Sequence, residues 1–259
     1  MTRFDGVVLD VDGTIVRGEE LLPGAVHGLR TLEAAGIDRL LFSNNPTRGA
    51  AHYRERLGKH DIEVDPANVL TSATVTAEVL AVRHPGETVY LIGHDRLAAI
   101  LEDAGLGTTD DPAAADLVVG SIDFDFDYDR LDAALHALER EVPFYGTDPD
   151  VTIPTADGSM PGSGAVLAAI AAVAGREPDA VFGKPSPVAA ERAVERLDVD
   201  PNRLLVVGDR LDTDVALGKE AGARTALVLT GSTDRDELAA STVEPDHVLE
   251  SLGDVADLL

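Results

Sequence analysis

Two aspartates separated by one residue stand near the start of the chain, in the run DVDGT at 10–14. They follow an apolar run, so alternation along a strand would point the carboxylates of Asp10 and Asp12 the same way. Gly13 permits a sharp turn directly after them. One carboxylate of such a pair can act as a nucleophile while the other moves protons. The alternative is a pair of turn-capping aspartates, because Asp-Gly is a common turn dipeptide.

A second acidic segment, GDRLDTD at 208–214, follows another apolar run and contains Asp209 and Asp214. For Asp214 the alternative is a carboxylate favoured by the N-terminus of a helix. Gathering these two residues with Asp10 and Asp12 would be unfavourable without a cation, because like charges raise one another's pKa. Mg²⁺ suits carboxylates combined with a substrate phosphate. The four aspartates therefore predict a magnesium site.

Cationic and amide groups that suit a phosphate occur after two other apolar runs. Lys184, one of only three lysines in the chain, lies in FGKPSP at 182–187. Its ammonium could hold a phosphate as a compact charge, although a lysine after a strand is usually only a solvated charge. Ser43 and Asn44 begin SNNP at 43–46 and offer a hydroxyl, amides and backbone N–H groups near a helix start. An ordinary polar turn is the alternative for that segment.

The elements that must position these residues are apolar strands alternating with helical patterns along the chain. Helices are predicted at 24–35 and near 47–58. Strands are predicted at 6–12, 39–44, 88–93, 117–120, 143–147, 180–183, 204–209 and 225–230. Continuous Val, Ile and Leu runs indicate strands covered on both faces, so we expect an α/β fold with a Rossmann-like parallel sheet. Ligands of such sheets bind beyond the carboxyl ends of the strands, where the candidate residues stand.

The segments DVDGT, FSNNP, GKPSP and GDRLDTD resemble, in this order, the four motifs of the haloacid dehalogenase (HAD) superfamily. More narrowly, SNNP, the segment at 145–165 and GKPSP resemble the NagD-like, or p-nitrophenylphosphatase-like, branch. The resemblance implies a HAD-like fold with a cap. It also implies a magnesium-dependent phosphomonoester hydrolase that acts on a small phosphorylated metabolite through an aspartyl-phosphate.

The resemblance also implies roles for individual residues. Asp10 would attack phosphorus, and Asp12 would protonate the leaving group and then deprotonate water. The phosphoryl oxygens would be held by Ser43, the backbone of Asn44 and Lys184. Mg²⁺ would be bound by Asp10, the carbonyl oxygen of Asp12, Asp209 and, directly or through another group, Asp214.

The spacing of the motifs predicts an inserted domain. Between Thr14 and Ser43 there is room for one helix only, whereas 138 residues separate Asn45 from Lys184. These residues carry strand and helix patterns of their own, so we expect an α/β cap at 75–176 inserted between core segments 1–74 and 177–259. A cap of this kind also resembles the NagD-like branch.

The cap is expected to select the substrate, with Asp148 and Asp150 as the candidate residues. Thr152 and Ile153 occupy the positions where pyridoxal-phosphate-specific relatives carry a Trp-His pair, which argues against that substrate. No lysine lies between Lys59 and Lys184, which excludes a Schiff base formed by the cap.

Composition limits the partners and the environment. The chain has 47 acidic and 21 basic residues, a formal net charge of −26 and no cysteine. Such an acidic surface repels nucleic acid and anionic lipid, so neither is an expected partner. With no membrane-length apolar stretch, we expect a cytoplasmic protein. The near absence of lysine favours adaptation to high salt over an ordinary acidic protein.

Other classes of protein remain open at this point. A phosphotransferase or phosphomutase would use the same residues but exclude water. A catalytically silent phosphoester-binding protein would not need the intact set of Asp10, Asp12, Lys184 and Asp209. A receiver-type signalling domain, which also phosphorylates an aspartate beside Mg²⁺, would be about half as long and would have no cap.

Overall fold

The computed structural model describes residues 4–155 and 158–259, and packing divides the chain into two compact units. The first unit contains the chain up to Ser43, Ala50–Leu70 and Lys184–Leu259. The second contains Asn44–Gly49 and Thr71–Gly183. Residues 156 and 157, which belong to the segment at 145–165 discussed above, lie outside the described residues.

The first unit is built on a six-stranded sheet with the order β15-β14-β13-β1-β4-β5. Its strands are β1 (Gly6–Leu9), β4 (Asp38–Ser43), β5 (Val69–Thr71), β13 (Leu204–Gly208), β14 (Arg224–Val228) and β15 (His247–Leu249). Its helices are α1 (Ala25–Ala34), α2 (Ala50–Gly58), α7 (Pro187–Leu197), α8 (Ala216–Glu220) and α9 (Arg235–Ala240). A short antiparallel hairpin joins β2 (Val16–Arg17) to β3 (Glu20–Leu21).

The register of the central strands brings the candidate residues to one edge of this sheet. β1 pairs in parallel with β4 and β13, and Leu9 lies level with both Leu41 and Val207. Asp10 follows Leu9 by one residue, and Ser43 and Asp209 follow their level partners by two. Parallel pairing therefore places the carboxyl ends of three strands, and the polar residues after them, side by side.

The second unit has its own parallel sheet of five strands, in the order β12-β9-β8-β6-β7. These strands are β6 (Thr88–Ile92), β7 (Gly107–Thr109), β8 (Leu117–Gly120), β9 (Phe144–Gly146) and β12 (Ala180–Val181). Its helices are α3 (Ser72–Arg83), α4 (Asp95–Asp103), α5 (Tyr128–Leu138) and α6 (Ser163–Ala174). An antiparallel hairpin is formed by β10 (Thr152–Thr155) and β11 (Gly158–Pro161).

The expected fold class is confirmed: parallel sheets are covered by helices, and a second α/β unit is inserted in the first. The strand at Ala180–Val181 pairs with β9 of the second unit, although the sequence suggested that it belonged to the core. Accordingly, the first unit resumes at Lys184, and the second begins its main segment at Thr71. The cap domain at 75–176, between core segments 1–74 and 177–259, stays a prediction. Within the described chain, every helix is too short or too polar to cross a bilayer.

Candidate active site

Asp10 directly follows β1 and is almost fully buried, with 8% of its surface exposed. Its Oδ1 accepts a hydrogen bond from the Lys184 ammonium at 2.8 Å, and its Oδ2 accepts one from the Thr14 hydroxyl at 3.3 Å. Burial raises the pKa of Asp10 well above its ordinary value, and Lys184 opposes this shift. The carboxylates of Asp214 and Asp209 raise it further. The positive charge of Lys184 beside Asp10 therefore favours its ionised form.

Lys184 stands just before α7 and carries its ammonium into the buried site. Its Nζ donates to Asp10, to Asp214 Oδ1 at 2.6 Å and to the carbonyl oxygen of Phe42 at 2.8 Å. Burial lowers the pKa of Lys184, but the two adjacent carboxylates raise it by more, so the net shift is upward. The segment after it is fixed locally, because Ser186 Oγ caps α7 by accepting from the Ala189 N–H at 3.1 Å.

Two further carboxylates complete the buried cluster. Asp209 follows β13, and its Oδ2 accepts a hydrogen bond from the backbone N–H of Ser232 at 2.5 Å. Burial, with the charge of Asp214 next in size, raises the pKa of Asp209 to about 6. Asp214 lies in the π-helical turn before α8, where its Oδ2 accepts from the Arg210 N–H at 3.1 Å.

Two glycines allow these carboxylates to pack closely. Gly13 has a φ of 103°, and a Cβ there would lie 2.3 Å from Asp209 Oδ2. A Cβ at Gly208 would lie 2.2 Å from the Cβ of Asp214. A side chain at either position would collide with a carboxylate of the cluster. The glycine of the DVDGT turn is thus required both by its backbone conformation and by the group it adjoins.

The donor set fits a hard divalent cation. Among the described residues, Asp10, Asp209 and Asp214 form an acidic cluster whose nearest oxygens all lie within 4.8 Å of one another. All three residues are buried, and the Lys184 ammonium contacts two of them. One ammonium leaves the negative charge of three carboxylates only partly balanced, as the raised pKa of Asp209 also indicates. Oxygen ligands with excess negative charge are what Mg²⁺ prefers.

Asp12 has a different environment from Asp10. Its side chain is 48% exposed, and its Oδ1 accepts a hydrogen bond at 2.7 Å from Arg56 of α2, whose own side chain is 9% exposed. The carboxylate of Asp12 is therefore paired with a guanidinium outside the acidic cluster. Its predicted contribution to metal binding, through the backbone carbonyl oxygen, stays a prediction.

Ser43 ends β4 and is also held by α2. The Tyr53 hydroxyl donates a hydrogen bond to Ser43 Oγ at 2.9 Å. Tyr53 is fully buried, and burial raises its pKa, so the phenol stays protonated and can keep donating at physiological pH. The hydroxyl of Ser43 therefore has a fixed position at the end of the strand.

The remaining candidates belong to the second unit. The Asn44 side chain donates to Asp150 Oδ2 at 3.4 Å, and the backbone carbonyl oxygen of Asn44 accepts from the Ser72 hydroxyl at 2.9 Å. Asp148 is buried; its Oδ2 accepts from the Thr147 hydroxyl at 3.0 Å and its Oδ1 from the Asp150 N–H at 3.3 Å. Burial, reinforced by the Asp150 charge, raises the pKa of Asp148 to about 7. These contacts fix the loop at 147–150.

Comparisons with known proteins show the family to which the chain belongs. A family model of haloacid dehalogenase-like hydrolases matches residues 7–107, and a HAD-hydrolase-like model matches residues 181–255. An acid sugar phosphatase of Staphylococcus epidermidis is 31% identical over 97% of this chain and 96% of its own length. The chain belongs to the haloacid dehalogenase-like hydrolases.

This haloacid dehalogenase-like hydrolase is similar to solved structures of p-nitrophenylphosphatases. A p-nitrophenyl phosphatase from Archaeoglobus fulgidus is 35% identical with a TM-score of 0.94, covering 99% of each chain. A 4-nitrophenylphosphatase from Thermotoga maritima is also 35% identical with a TM-score of 0.93, covering 99% of this chain and 98% of its own. The predicted HAD-type phosphatase of the NagD-like, p-nitrophenylphosphatase-like branch is confirmed.

The sequence reasoning missed three residues of this haloacid dehalogenase-like site. Arg56 and Tyr53 lie in the predicted helix, but their partners are Asp12 and Ser43, which are distant in sequence. Helix periodicity could have hinted at a shared face, because the two are three residues apart. Thr14 belongs to the DVDGT motif, but the motif alone does not reveal that its buried hydroxyl donates to Asp10.

Proposed function

We propose that the protein is a magnesium-dependent phosphomonoester hydrolase that forms an aspartyl-phosphate on Asp10 and acts on a small phosphorylated metabolite. The main supporting observation is the buried position of Asp10, whose carboxylate touches the Lys184 ammonium and adjoins Asp209 and Asp214. A carboxylate held beside positive charge at the carboxyl edge of a parallel sheet is well placed to meet a phosphate.

The proposed reaction has two displacements at phosphorus. A carboxylate oxygen of Asp10 forms a bond to phosphorus while the ester P–O bond breaks, and Asp12 gives its proton to the departing oxygen. Asp12, now a carboxylate, then removes a proton from water as the water oxygen attacks phosphorus and releases Asp10. Inorganic phosphate leaves, and Asp12 is again protonated. Dividing the hydrolysis in this way replaces one difficult step by two easier ones.

The residues proposed to hold Mg²⁺ are Asp10, Asp209, Asp214 and the carbonyl oxygen of Asp12. Bound Mg²⁺ would supply positive charge that offsets the carboxylates and the phosphoryl oxygens as the reaction proceeds. The raised pKa of Asp209, caused by burial and by Asp214, supports a requirement for such charge.

Ser43, Asn44 and Lys184 are proposed to bind the phosphoryl group. Lys184 supports this role with its ammonium beside the proposed nucleophile, and Ser43 with a hydroxyl that Tyr53 orients. Asn44 would contribute its backbone N–H next to Ser43. Charged and neutral donors aimed at the phosphoryl oxygens stabilise the charge that spreads over them.

We further propose sugar phosphates or small polyol phosphates as the substrates. The likeness to an acid sugar phosphatase supports this class. Asp148 and Asp150 are proposed to select the substrate by fixing the loop at 147–150, since the Asp148 carboxylate is buried and hydrogen-bonded. The strand at Thr152–Thr155 carries no aromatic ring, so stacking of a pyridine ring has no support from it.

The test is phosphate release by the wild type and by Asp10→Asn, with and without Mg²⁺. The substrates are p-nitrophenyl phosphate, a panel of sugar phosphates and pyridoxal phosphate. We expect Mg²⁺-dependent turnover by the wild type, a higher kcat/KM for sugar phosphates than for pyridoxal phosphate, and no turnover by the variant. An amide is a poor nucleophile toward phosphorus, which is the reason for the complete loss.

Asp212→Asn is the matched control, because Asp212 is exposed beside the cluster and pairs with Arg210. Thermal melting would verify that both variants fold. More than about a tenth of wild-type activity in Asp10→Asn, with deamidation excluded, contradicts the nucleophile. Product formation only with an added hydroxyl acceptor would indicate a phosphotransferase, and no chemistry at all would indicate a phosphoester-binding protein.

We also propose that the chain is adapted to high salt. It carries 47 acidic residues against 21 basic ones, and only three of the latter are lysines. Molar salt shortens the Debye length to about 3 Å and so weakens the repulsion of such a surface.

A further inference from the structure

Arg56 holds two groups at once from the buried face of α2. Its guanidinium donates to Asp12 Oδ1 at 2.7 Å, and its Nε donates to the carbonyl oxygen of Gly18 at 3.1 Å. A guanidinium N–H also donates to that same carbonyl oxygen. The planar fork of an arginine is suited to this, because its donors point in fixed directions.

The environment of Arg56 differs from that of an ordinary surface ion pair. Its side chain is 9% exposed, so removing its partner would leave a largely desolvated charge, whereas exposed pairs contribute little. Burial lowers the pKa of Arg56, but the Asp12 carboxylate raises it by more. The guanidinium therefore stays charged and remains a donor to Asp12 throughout any reaction near neutral pH.

The other partner of Arg56 is itself anchored. Gly18 and Glu19 form the tip of the hairpin that joins β2 to β3. Lys59 donates to the Glu19 carboxylate at 2.9 Å, and His60 Nε2 lies 2.9 Å from the Glu19 carbonyl oxygen. The end of α2 and the residues after it thus hold the hairpin tip at three points. Arg56 is fixed between this tip and Asp12.

A second residue of α2 also holds a side chain of the candidate site in place. Tyr53 lies three residues before Arg56, and residues at that spacing share one side of a helix. Its hydroxyl donates to Ser43 Oγ at 2.9 Å. One face of α2 therefore orients both the hydroxyl proposed to bind phosphate and the carboxylate proposed to move protons.

We propose that Arg56 is a positioning residue for the acid/base Asp12. It fixes Oδ1, so that Oδ2 is the atom that gives a proton to the leaving group and later takes one from water. The contact is compatible with both states of Asp12, because Oδ1 can accept from a guanidinium whether or not Oδ2 carries a proton. This inference rests on the proposed function, in which Asp12 is the acid/base.

The test compares Arg56→Met, Arg56→Lys and the control Arg54→Met, since Arg54 is exposed on the same helix. Two substrates are used with Mg²⁺: p-nitrophenyl phosphate, whose leaving group needs little protonation, and glycerol phosphate, whose leaving group needs it fully. We expect Arg56→Met to lower the rate of the first step with glycerol phosphate, measured in single turnovers, by roughly 10²-fold, the scale of a small misplacement of a reacting group. The loss in the first step with p-nitrophenyl phosphate should be smaller.

Arg56→Lys keeps the charge but not the fork, so it should recover part of the activity toward glycerol phosphate. Arg54→Met should match the wild type. If melting shows that Arg56→Met does not fold, the test uses Arg56→Lys. Its loss of activity should be smaller than that expected for Arg56→Met, and it should be greater with glycerol phosphate than with p-nitrophenyl phosphate. Equal losses in the first-step rate for both substrates in the folded variant, measured in single turnovers by rapid mixing, or no loss, would overturn the inference.

A double-variant cycle separates positioning from a merely structural role. If Arg56 acts through Asp12, adding Arg56→Met to Asp12→Asn should lower kcat by less than about threefold more, because coupled residues are not additive. Full multiplication of the two losses would contradict the inference. An inactive wild type, or an Asp12→Asn variant as active as the wild type, would instead reject the proposed function itself, and the inference with it.

Discussion

At the scale of single residues, Asp10 and Asp12 are two positions apart but have opposite environments. Asp10 is buried against an ammonium, and its pKa is raised by burial. Asp12 has a side chain that is 48% exposed and pairs with Arg56. A buried carboxylate beside a cation suits covalent attack, whereas a carboxylate open to solvent suits proton exchange with water. The two proposed roles are thus supported by these environments and not by residue type alone.

Asp12→Asn is expected to separate the two proposed displacements. With p-nitrophenyl phosphate the leaving group departs without a proton, so formation of the aspartyl-phosphate should persist. Hydrolysis of that intermediate needs a base and should slow by roughly 10²–10⁴-fold. Rapid mixing should therefore show a burst of p-nitrophenolate close to one per enzyme, followed by slow turnover.

Asp212→Asn serves as the control for Asp12→Asn, because Asp212 is an exposed aspartate that pairs with Arg210. This control variant should show the wild-type time course. A variant of Asp12 whose burst and steady state both equal those of the wild type would show that another group moves the proton.

Asp148 is expected to make stability depend on pH. Its pKa is raised from 3.8 to about 7 by burial and then by Asp150, so between these values the folded state binds more protons than the unfolded state. The free energy of unfolding therefore decreases as pH rises from about 4 to 7. Asp148→Asn removes this pH-dependent loss of stability. The Tm of the variant minus the Tm of the wild type should therefore increase from pH 5 to pH 8. This increase in Tm should be roughly 2–4 °C for each kcal/mol of unfolding free energy that the variant regains.

Asp103→Asn is the control, because Asp103 is exposed at the end of α4. Melting of all three proteins at constant ionic strength would measure the effect. A constant Tm difference between Asp148→Asn and wild type across this pH range would mean that Asp148 is charged at every pH in the folded state.

At the scale of elements, the sequence was most informative where strands are continuous apolar runs. The strand Leu117–Gly120 was predicted with its observed bounds, and the strand Gly6–Leu9 lies inside the predicted one. The three-residue strands Val69–Thr71 and His247–Leu249 were not predicted, because such short runs have no readable period. Which sheet Ala180–Val181 joins was also hidden, since pairing partners depend on tertiary packing.

The acidic and phosphate-binding motifs of the candidate site were predictable from the sequence, but the residues that hold their side chains in position were not. Asp10, Asp209, Asp214 and Lys184 follow strands that the apolar pattern revealed, and the structure brings their side chains together. Arg56 lies in a helix whose several charged residues all suit a solvated face. Only the fold shows that its guanidinium is buried against Asp12.

At the scale of the whole molecule, net charge is expected to govern stability. A formal charge of −26 produces self-repulsion in the compact state, and added salt screens it. The Tm of the wild type, measured by calorimetry, should therefore rise steeply as KCl is increased from about 0.1 M to about 2 M. Near pH 4, where about half of the carboxylates are protonated, the slope should be smaller. A Tm indifferent to salt at neutral pH would contradict the proposed adaptation.

The pairing of β1 with β13 has a consequence for how the chain folds as the ribosome makes it. Val7 pairs with Leu205, so β1 cannot pair with β13, one of its two neighbouring strands, until most of the chain has been synthesised. The residues from Thr71 to Gly183, by contrast, are continuous and include a complete five-stranded sheet. The nascent second unit can therefore acquire its structure on the ribosome before β13 is available to complete the sheet of the first unit, as domains generally fold in order of completion.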